Sequence, residues 1–195
     1  MNYKDVIIGS TSHELVHIDE IELSARLGGL ISILDEDIKQ HIEIFNNNVT
    51  YRYAYVKVNF KYDDGLCCFD NLSVKSSSLS KVLKGSKEAI LIAVTAGTSI
   101  DKLISKYEIL NQSSAFYFDS IGSAAIESYM NYITEYICKE LNVTKRFSPG
   151  YSDFPLEFQS LLLDRIGAKE NIGIELSSDC LMIPMKSITA VIGIK

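Results

Sequence analysis

A short polar segment in the second half of the chain carries the side chains best suited to binding a charged ligand. Residues 146–151 read RFSPGY, so that a guanidinium, a proline, a glycine and two aromatic rings lie close together. Arg146 can hold a carboxylate through two parallel hydrogen bonds. The Tyr151 ring can face a cation or stack on a base, and Gly150 lets a backbone amide approach a ligand closely. The pattern predicts a binding loop, but a helix connector whose Arg146 pairs with a surface acid fits the same residues equally well.

Glu127 is a second candidate for binding. It follows Ala124, Ala125 and Ile126 on a helix predicted for residues 119–141, so its carboxylate is expected to be partly enclosed. An enclosed carboxylate needs a cationic partner, which could be an arginine of the same site or a cationic ligand. The alternative is an ordinary solvated glutamate on a helix surface.

A famous metal-binding pattern lies near the N terminus. Residues 13–17 read HELVH, which matches the H-E-x-x-H motif that places two zinc-binding histidines on one helical face with Glu14 as a base. Charged Asp19 and Glu20 follow almost at once, whereas such helices run long and apolar on their inner side. Nothing in the sequence brings His41 close to this segment. We therefore predict an exposed N-terminal segment without a metal.

The length, composition and charge of the chain exclude several classes of protein. The chain has 195 residues, 47% of them hydrophobic and 23% charged, with a net charge of −6. This length and composition predict a single domain spanning residues 1–195 with a real core, and the acidic balance argues against a nucleic-acid partner. The N terminus shows no signal-peptide pattern, and the longest apolar runs are far too short to cross a bilayer. We expect a cytoplasmic protein with no membrane partner and with reduced cysteines.

Periodicity and turn signals predict the elements that position these residues. Alternating or continuous apolar runs predict strands at 5–9, 50–61, 65–74, 89–97, 172–176 and 187–194. Helical spacing and cap signals predict helices at 19–45, 79–83, from about 100 with Thr98 or Ser99 as its cap, at 119–141, and from Pro155 to 166 with Asp153 as its cap. The hairpins favour an α+β domain, with a largely antiparallel twisted sheet flanked by helices, over a doubly wound fold.

The binding loop and its flanks resemble a known family. Residues 146–162, RFSPGYSDFPLEFQSLL, are similar to the signature of the activation (reactivation) domain of cobalamin-dependent methionine synthase, in which Arg-x-x-x-Gly-Tyr is followed by a proline. Arg146, Gly150, Tyr151 and Pro155 fill those places.

The resemblance extends beyond the loop in an ordered set of segments. Residues 173–194 resemble the family's second signature, with Gly173, Met182, Pro184 and Ser187 as the matching residues. Residues 83–104 and 119–128 resemble stretches of free-standing members, and Glu127 matches the family's buried glutamate. The similarity runs from about residue 50 to the end and is weakest in the N-terminal helical segment 1–49.

The resemblance implies a function that works through a partner. In this family the domain binds S-adenosylmethionine (AdoMet) and supports reductive methylation of inactive cob(II)alamin, with one electron from a flavodoxin- or ferredoxin-type reductant. Arg146 would bind the methionine carboxylate, Tyr151 would pack near the sulfonium or the adenosine, Ser148 and Gly150 would offer backbone groups, and Glu127 would hold the amino-acid end. No residue is implied as a catalytic nucleophile or base, so whether the chain counts as an enzyme stays open.

The chain departs from the family pattern at several places. Residues 1–49 show no convincing counterpart of the aspartate that an N-terminal arm brings to the AdoMet site, Ser178 stands where a glutamate is common, and the paired tyrosines expected after Lys195 are absent. These departures predict AdoMet binding that is weak or depends on the partner. Without a D-x-H-x-x-G motif, cobalamin must come from another protein: a cobalamin-binding methionine synthase subunit or, alternatively, another corrinoid methyltransferase. A third alternative is a non-catalytic module that has lost AdoMet binding.

Overall fold

A computed structural model describes residues 5–29 and 35–195 and shows an α+β fold. The strands are β1 (Ile7–Thr11), β2 (Tyr51–Asp63), β3 (Leu66–Phe69), β4 (Leu72–Val74), β5 (Glu88–Thr95), β6 (Glu175–Leu176), β7 (Met182–Ile183) and β8 (Ser187–Ile194). The helices are α1 (Glu20–Arg26), α2 (Glu36–Asn46), α3 (Ser77–Val82), α4 (Thr98–Leu110), α5 (Gln112–Cys138), α6 (Phe158–Ile166) and α7 (Ala168–Ile172).

The main sheet is antiparallel throughout. Its order is β4-β3-β2-β5-β8. β1 pairs with the N-terminal part of β2, on the same side of β2 on which β3 pairs with its C-terminal part. β8 is therefore an edge strand, and its outer side is free to receive a loop. The predicted fold class, a largely antiparallel sheet flanked by helices, is confirmed.

Two apolar cores lie on opposite faces of this sheet. The central strand β5 is buried on both faces and alternates between them. Ile90, Ile92 and Val94 face the core that contains α5, whereas Leu91 and Ala93 face the core that contains α6. The sheet thus holds α5 and α6 on opposite sides of β8, and any site at that edge receives residues from both helices.

The N-terminal region differs from its prediction. The expected single helix over 19–45 is wrong, because α1 ends at Arg26 and α2 begins at Glu36. Gly28 and Gly29 both adopt positive φ after α1, a conformation in which a helix cannot continue. The predicted apolar positions Leu30, Ile31 and Leu34 lie outside the described residues.

Several smaller boundaries also differ. The predicted return strand 65–74 is divided into β3 and β4 by a turn in which Asp70 has φ 50°. Ile172 belongs to α7 rather than to a strand, and β6 pairs with β7 in a separate two-stranded sheet. The residue before α4 is Gly97 instead of the expected Thr98 or Ser99. α5 starts earlier than predicted because the Asn111 side chain caps it.

Within residues 5–29 and 35–195, no helix combines the length and the apolar character that a membrane crossing requires.

Candidate functional site

The candidate site lies along the outer edge of β8. After α5 the chain runs beside this strand and meets it at two isolated bridges, Val143 with Ile194 and Phe147 with Val191. Phe147 and Val191 exchange two backbone hydrogen bonds, each with an N–O distance of 2.9 Å. Beyond that point the loop leaves the strand and encloses a cavity of about 390 Å³ between α5, α6, β7 and β8. This volume is in the range of small-molecule sites.

Arg146 and Glu127 form an ion pair on one wall of this cavity. The Arg146 Nη2 donates to Glu127 Oε2 at 2.5 Å, and the two side chains are 28% and 34% exposed. The structure therefore gives Glu127 the arginine partner that sequence analysis left as one of two options. Arg146 Nη1 is buried and, in the part of the chain that the structure describes, makes no hydrogen bond. A buried guanidinium nitrogen without an acceptor is an available donor for an anionic ligand.

A smaller acidic cavity lies on another side of the same ion pair. Its volume is about 220 Å³, and its lining includes Asp19, Asn131 and both members of the Arg146–Glu127 pair. The Asp19 amide donates to Ser128 Oγ at 2.9 Å, which anchors the start of α1 on α5. The sequence of residues 1–49 shows no convincing acidic counterpart for the site. Asp19 could be recognised locally only as a helix cap, since its proximity to α5 arises from tertiary packing.

The binding loop has a fixed backbone shape. Gly150 adopts φ 88°, and its amide donates to the Phe154 carbonyl at 2.8 Å. The loop itself thus uses this donor, and the assignment of Gly150 to ligand binding stays a prediction. A Cβ at Gly150 would lie 3.3 Å from Leu156 Cδ1. Gly150 contributes a left-handed turn and a close approach of backbone to side chain.

The remaining predicted loop residues border the cavity directly. Ser148, Pro149 and Tyr151 all line it. The Ser148 carbonyl accepts a hydrogen bond from the Tyr151 amide at 3.3 Å. The Tyr151 side chain is 65% exposed and lies at the mouth. Its ring is thus free to cover a ligand that enters from solvent.

Asp153 holds the loop against a different helix from the one predicted. Its carboxylate accepts hydrogen bonds from Ser76 Oγ, from both the amide and the hydroxyl of Ser77, and from the Ser78 amide. These donors hold the pKa of Asp153 well below its usual range. The prediction that Asp153 caps the helix after Pro155 is wrong, since α6 starts only at Phe158. Asp153 instead accepts hydrogen bonds from the first turn of α3, whose own N-cap residue is Ser76.

The floor of the cavity contains polar residues that sequence analysis did not assign to the site. Thr189 Oγ1 donates to Gln159 Oε1 at 3.1 Å, and Gln159 Nε2 donates to the Cys180 carbonyl at 3.0 Å. Ser187 also lines this floor and donates to the Pro184 carbonyl at 2.7 Å. Each is an isolated polar residue in an otherwise apolar element, which by itself gives no local signal of a site.

The HELVH segment does not form the helix that a zinc motif requires. His13–Leu15 is a short 3-10 turn and Val16 is extended, so the two histidines do not share one face of an α-helix. Among residues 5–29 and 35–195, no cluster of three or more His, Cys, Asp or Glu side chains is arranged to hold a metal ion. The absence of a metal stays a prediction.

The fold is similar to that of a domain whose structure is known with a ligand. The crystal structure of the MetH reactivation domain bound to AdoHcy matches this chain with a TM-score of 0.73, covering 96% of this chain and 78% of that one at 13% sequence identity. No protein-family model matches the chain, and no curated protein sequence matches it. At this identity the similarity shows a shared fold, and it extends into the N-terminal segment where the sequence resemblance is weakest.

Proposed function

We propose that this chain binds S-adenosylmethionine in the cavity beside β8 and presents its methyl group to a corrinoid carried by another protein. The observation that carries the proposal is the buried Arg146 Nη1, a guanidinium donor without an acceptor at the wall of a ligand-sized cavity. The fold is that of the MetH reactivation domain, which was solved with AdoHcy bound.

The residues present fit the amino-acid end of this ligand. Arg146 would receive the carboxylate through Nη1, while its Nη2 stays on Glu127. The ligand's ammonium group needs an acceptor, and Glu127 supplies one on the same wall, with Asp19 in the adjoining cavity. Because Glu127 serves both cations, it would fix the amino-acid end relative to the loop.

The loop would hold the rest of the ligand at the open side. Tyr151 is exposed at the mouth, where its ring can pack on a sulfonium or an adenosine. Gly150 and Asp153 hold the loop in place through the backbone turn and the contacts with α3. A fixed orientation matters because methyl transfer requires the carbon to face the attacking atom in line.

The chemistry itself would reside in the ligand and the partner. Bound AdoMet would supply an electrophilic methyl group to a partner's corrinoid that has received one electron from a reductant, and AdoHcy would be released from this chain. The residues of this chain would bind, orient and shield, and none is required as a nucleophile or base. The proposed partner is a cobalamin-dependent methionine synthase, with a flavodoxin- or ferredoxin-type protein as the electron donor.

Calorimetric titration with AdoMet tests the proposal, with and without the cobalamin-binding domain of a methionine synthase loaded with cob(II)alamin. We expect saturable binding that strengthens in the presence of the loaded domain, and regain of methylcobalamin absorbance when a one-electron reductant is added. Absence of AdoMet binding in both arms would exclude the proposal. Binding of AdoMet without the return of methylcobalamin absorbance would exclude the tested methionine synthase as the partner. The same assay with other corrinoid methyltransferases would then identify the partner.

A further inference from the structure

The strand β1 has one unpaired edge. In the part of the chain that the structure describes, its single neighbour in the sheet is β2. Even-numbered residues of β2 bond towards β5, as the bond from the Phe60 amide to the Lys87 carbonyl indicates, so the odd-numbered residues of β2 bond towards β1. These odd residues lie opposite odd residues of β1. Ile8 and Ser10 therefore direct their backbone N–H and C=O groups outward, away from the sheet.

The sequence of β1 does not protect this edge. The strand reads IIGST, without the lysine or proline that exposed edge strands commonly carry. Ile7 and Ile8 point to opposite faces of the sheet, and their side chains are 50% and 48% exposed. The described residues thus leave the edge open on both faces. An edge strand with these properties is a ready template for pairing with another strand.

We propose that β1 pairs antiparallel with β1 of a second copy of this chain, about a two-fold axis that passes beside Gly9. In this register Ile8 of each copy lies opposite Ser10 of the other. Both are outward-directed residues, so each of the two pairs exchanges both of its backbone hydrogen bonds. The two sheets then form one continuous antiparallel sheet, which is an isologous interface.

Gly9 and Tyr53 make this register self-complementary. The two residues lie opposite each other in β1 and β2, and the hydroxyl end of the Tyr53 ring occupies the space that a Cβ of Gly9 would need. At the axis the two Gly9 residues form a non-hydrogen-bonded pair, in which the Cα atoms lie about 4.5 Å apart. The absence of side chains there leaves room for both Tyr53 rings. Because a hydroxyl both donates and accepts, each Tyr53 can bond to its own symmetry mate.

Charge also favours a second copy as the occupant of this edge. The chain has a net charge of −6, so two copies repel each other over most of their surfaces. The residues from Ile7 to Thr11 carry no charge, and the pairing therefore sets no like charges opposite each other. An uncharged edge likewise gives no preference for a basic or an acidic peptide. Since β1 and β8 lie on opposite edges of the sheet, the dimer leaves both ligand cavities open.

Sedimentation equilibrium of the full chain, from about 1 to 300 µM, tests the proposal. Pairing of one short strand gives a small interface, so we expect a monomer–dimer equilibrium with a dissociation constant on the order of 50 µM. Ser10→Pro removes an outward N–H, and Ile8→Lys places a charge on the edge. Each should raise the dissociation constant by roughly tenfold or more. Tyr53→Phe should raise it by about fivefold, because the bond at the axis is lost.

Ser73→Pro is the matched control. Ser73 is an exposed residue of β4, and by the same alternation it directs its N–H outward from that strand. Its replacement should leave the dimer intact. Thermal melting of each variant reports folding, and Ile8→Lys carries the comparison if Ser10→Pro does not fold.

Each outcome of this experiment decides the proposal. A dimer that the β1 variants weaken and the control preserves supports it. A monomer at every concentration overturns it, and so does a dimer that the β1 variants leave unchanged or that Ser73→Pro weakens equally. Calorimetric titration of the same variants with AdoMet separates this proposal from the proposed function. Absence of AdoMet binding in every chain would overturn the proposed function and leave the pairing of β1 standing.

Discussion

The Asp153 carboxylate receives both the amide and the hydroxyl hydrogen of Ser77, at 2.8 and 2.7 Å, although 76 residues separate the two in the chain. The acceptor belongs to the loop that shapes the cavity, and the donor belongs to the first turn of α3. An anion at this position also suits the positive end of the helix. The relationship therefore joins the binding loop to the rest of the fold through charge-assisted hydrogen bonds.

Asp153→Asn should lower the melting temperature in a pH-dependent way. The folded pKa of Asp153 lies well below its usual 3.8 because the donors of residues 76–78 favour the charged form. A depressed pKa contributes stability that is present above the unfolded pKa and is lost as pH falls through the folded value. The native protein should thus exceed the variant in melting temperature at pH 7, and the gap should narrow as pH falls below about 4.

Differential scanning calorimetry between pH 3 and 7 measures this gap. Asp164→Asn is a matched control, because Asp164 is an exposed aspartate of α6. A gap that stays constant across the range, or one that the control reproduces, would mean that the charge of Asp153 does not hold the loop.

Arg146→Ala should weaken AdoMet binding while sparing the fold. Loss of the charge-assisted hydrogen bond from Nη1 to the ligand carboxylate costs about 1.5–3 kcal/mol, so the dissociation constant should rise by roughly ten- to a hundredfold. The ion pair with Glu127 is partly exposed and is expected to contribute at most about 1 kcal/mol, or a melting shift of no more than about 4 °C. Methylthioadenosine, which lacks the amino-acid end, should bind the native protein and the variant equally.

Arg165→Ala serves as the control for this change, since Arg165 approaches Asp70 rather than the cavity. The assignment of Arg146 to the carboxylate would be wrong if the variant lost methylthioadenosine binding equally. It would also be wrong if the melting temperature fell sharply while AdoMet affinity stayed native, because the arginine would then be a structural tie.

Gly150→Ala should damage both stability and ligand binding. Positive φ costs a residue with a Cβ roughly 1 kcal/mol or more, and here the new methyl group also meets Leu156. Gly85→Ala is a useful comparison, because Gly85 has a similar φ but open space around its Cβ position. We expect a larger drop in melting temperature for Gly150→Ala and weaker AdoMet binding for that variant alone. Equal drops with native binding in both would indicate that the loop tolerates the added methyl group.

Local signals in the sequence were sufficient for much of the fold. The alternating residues of β2, the continuous apolar run of β5 and the glycine after α6 each act through neighbouring residues, and the structure agrees with all three. The end of α1 could not be predicted in this way. The apolar spacing continued past Gly28, whereas the backbone there turns to positive φ.

In the candidate site, contacts between residues that are distant in the sequence could not be predicted from local patterns. The Arg146 and Glu127 side chains were identified from their types and from the family resemblance, and the structure brings them together. Asp153 was assigned to the nearest helix start, but its donors come from a distant segment. Gln159 and Thr189 were missed because an isolated polar residue in an apolar element has no local pattern, and only the pairing of β8 with its loop reveals their shared cavity.

Under the proposed function, a docking surface should surround the mouth of the cavity, since the methyl group would have to reach a cobalt carried by another protein. Exposed apolar side chains occur on the segments that border this mouth, and they include Tyr151 and Ile183. Ile183 lies on β7 next to Met182, which lines the cavity. If that corrinoid also has to visit other domains during turnover, the interface should be modest, with an affinity on the order of micromolar.

Ile183→Asp should therefore impair reactivation without impairing AdoMet binding. A charge placed in an apolar contact must be desolvated on docking, so binding of the cobalamin-binding domain of methionine synthase loaded with cob(II)alamin should weaken by roughly tenfold or more. Ile109→Asp is the matched control, because Ile109 is 88% exposed at the end of α4 and does not line the cavity. Titration of each variant with AdoMet, and then with the loaded domain, separates the two effects. Suppose instead that Ile183→Asp docks like the native protein and that Ile109→Asp docks poorly. The interface would then lie at the end of α4, where AdoMet in the cavity beside β8 could not meet the cobalt. In that case the proposal that this chain binds AdoMet while its partner carries the cobalt would be wrong.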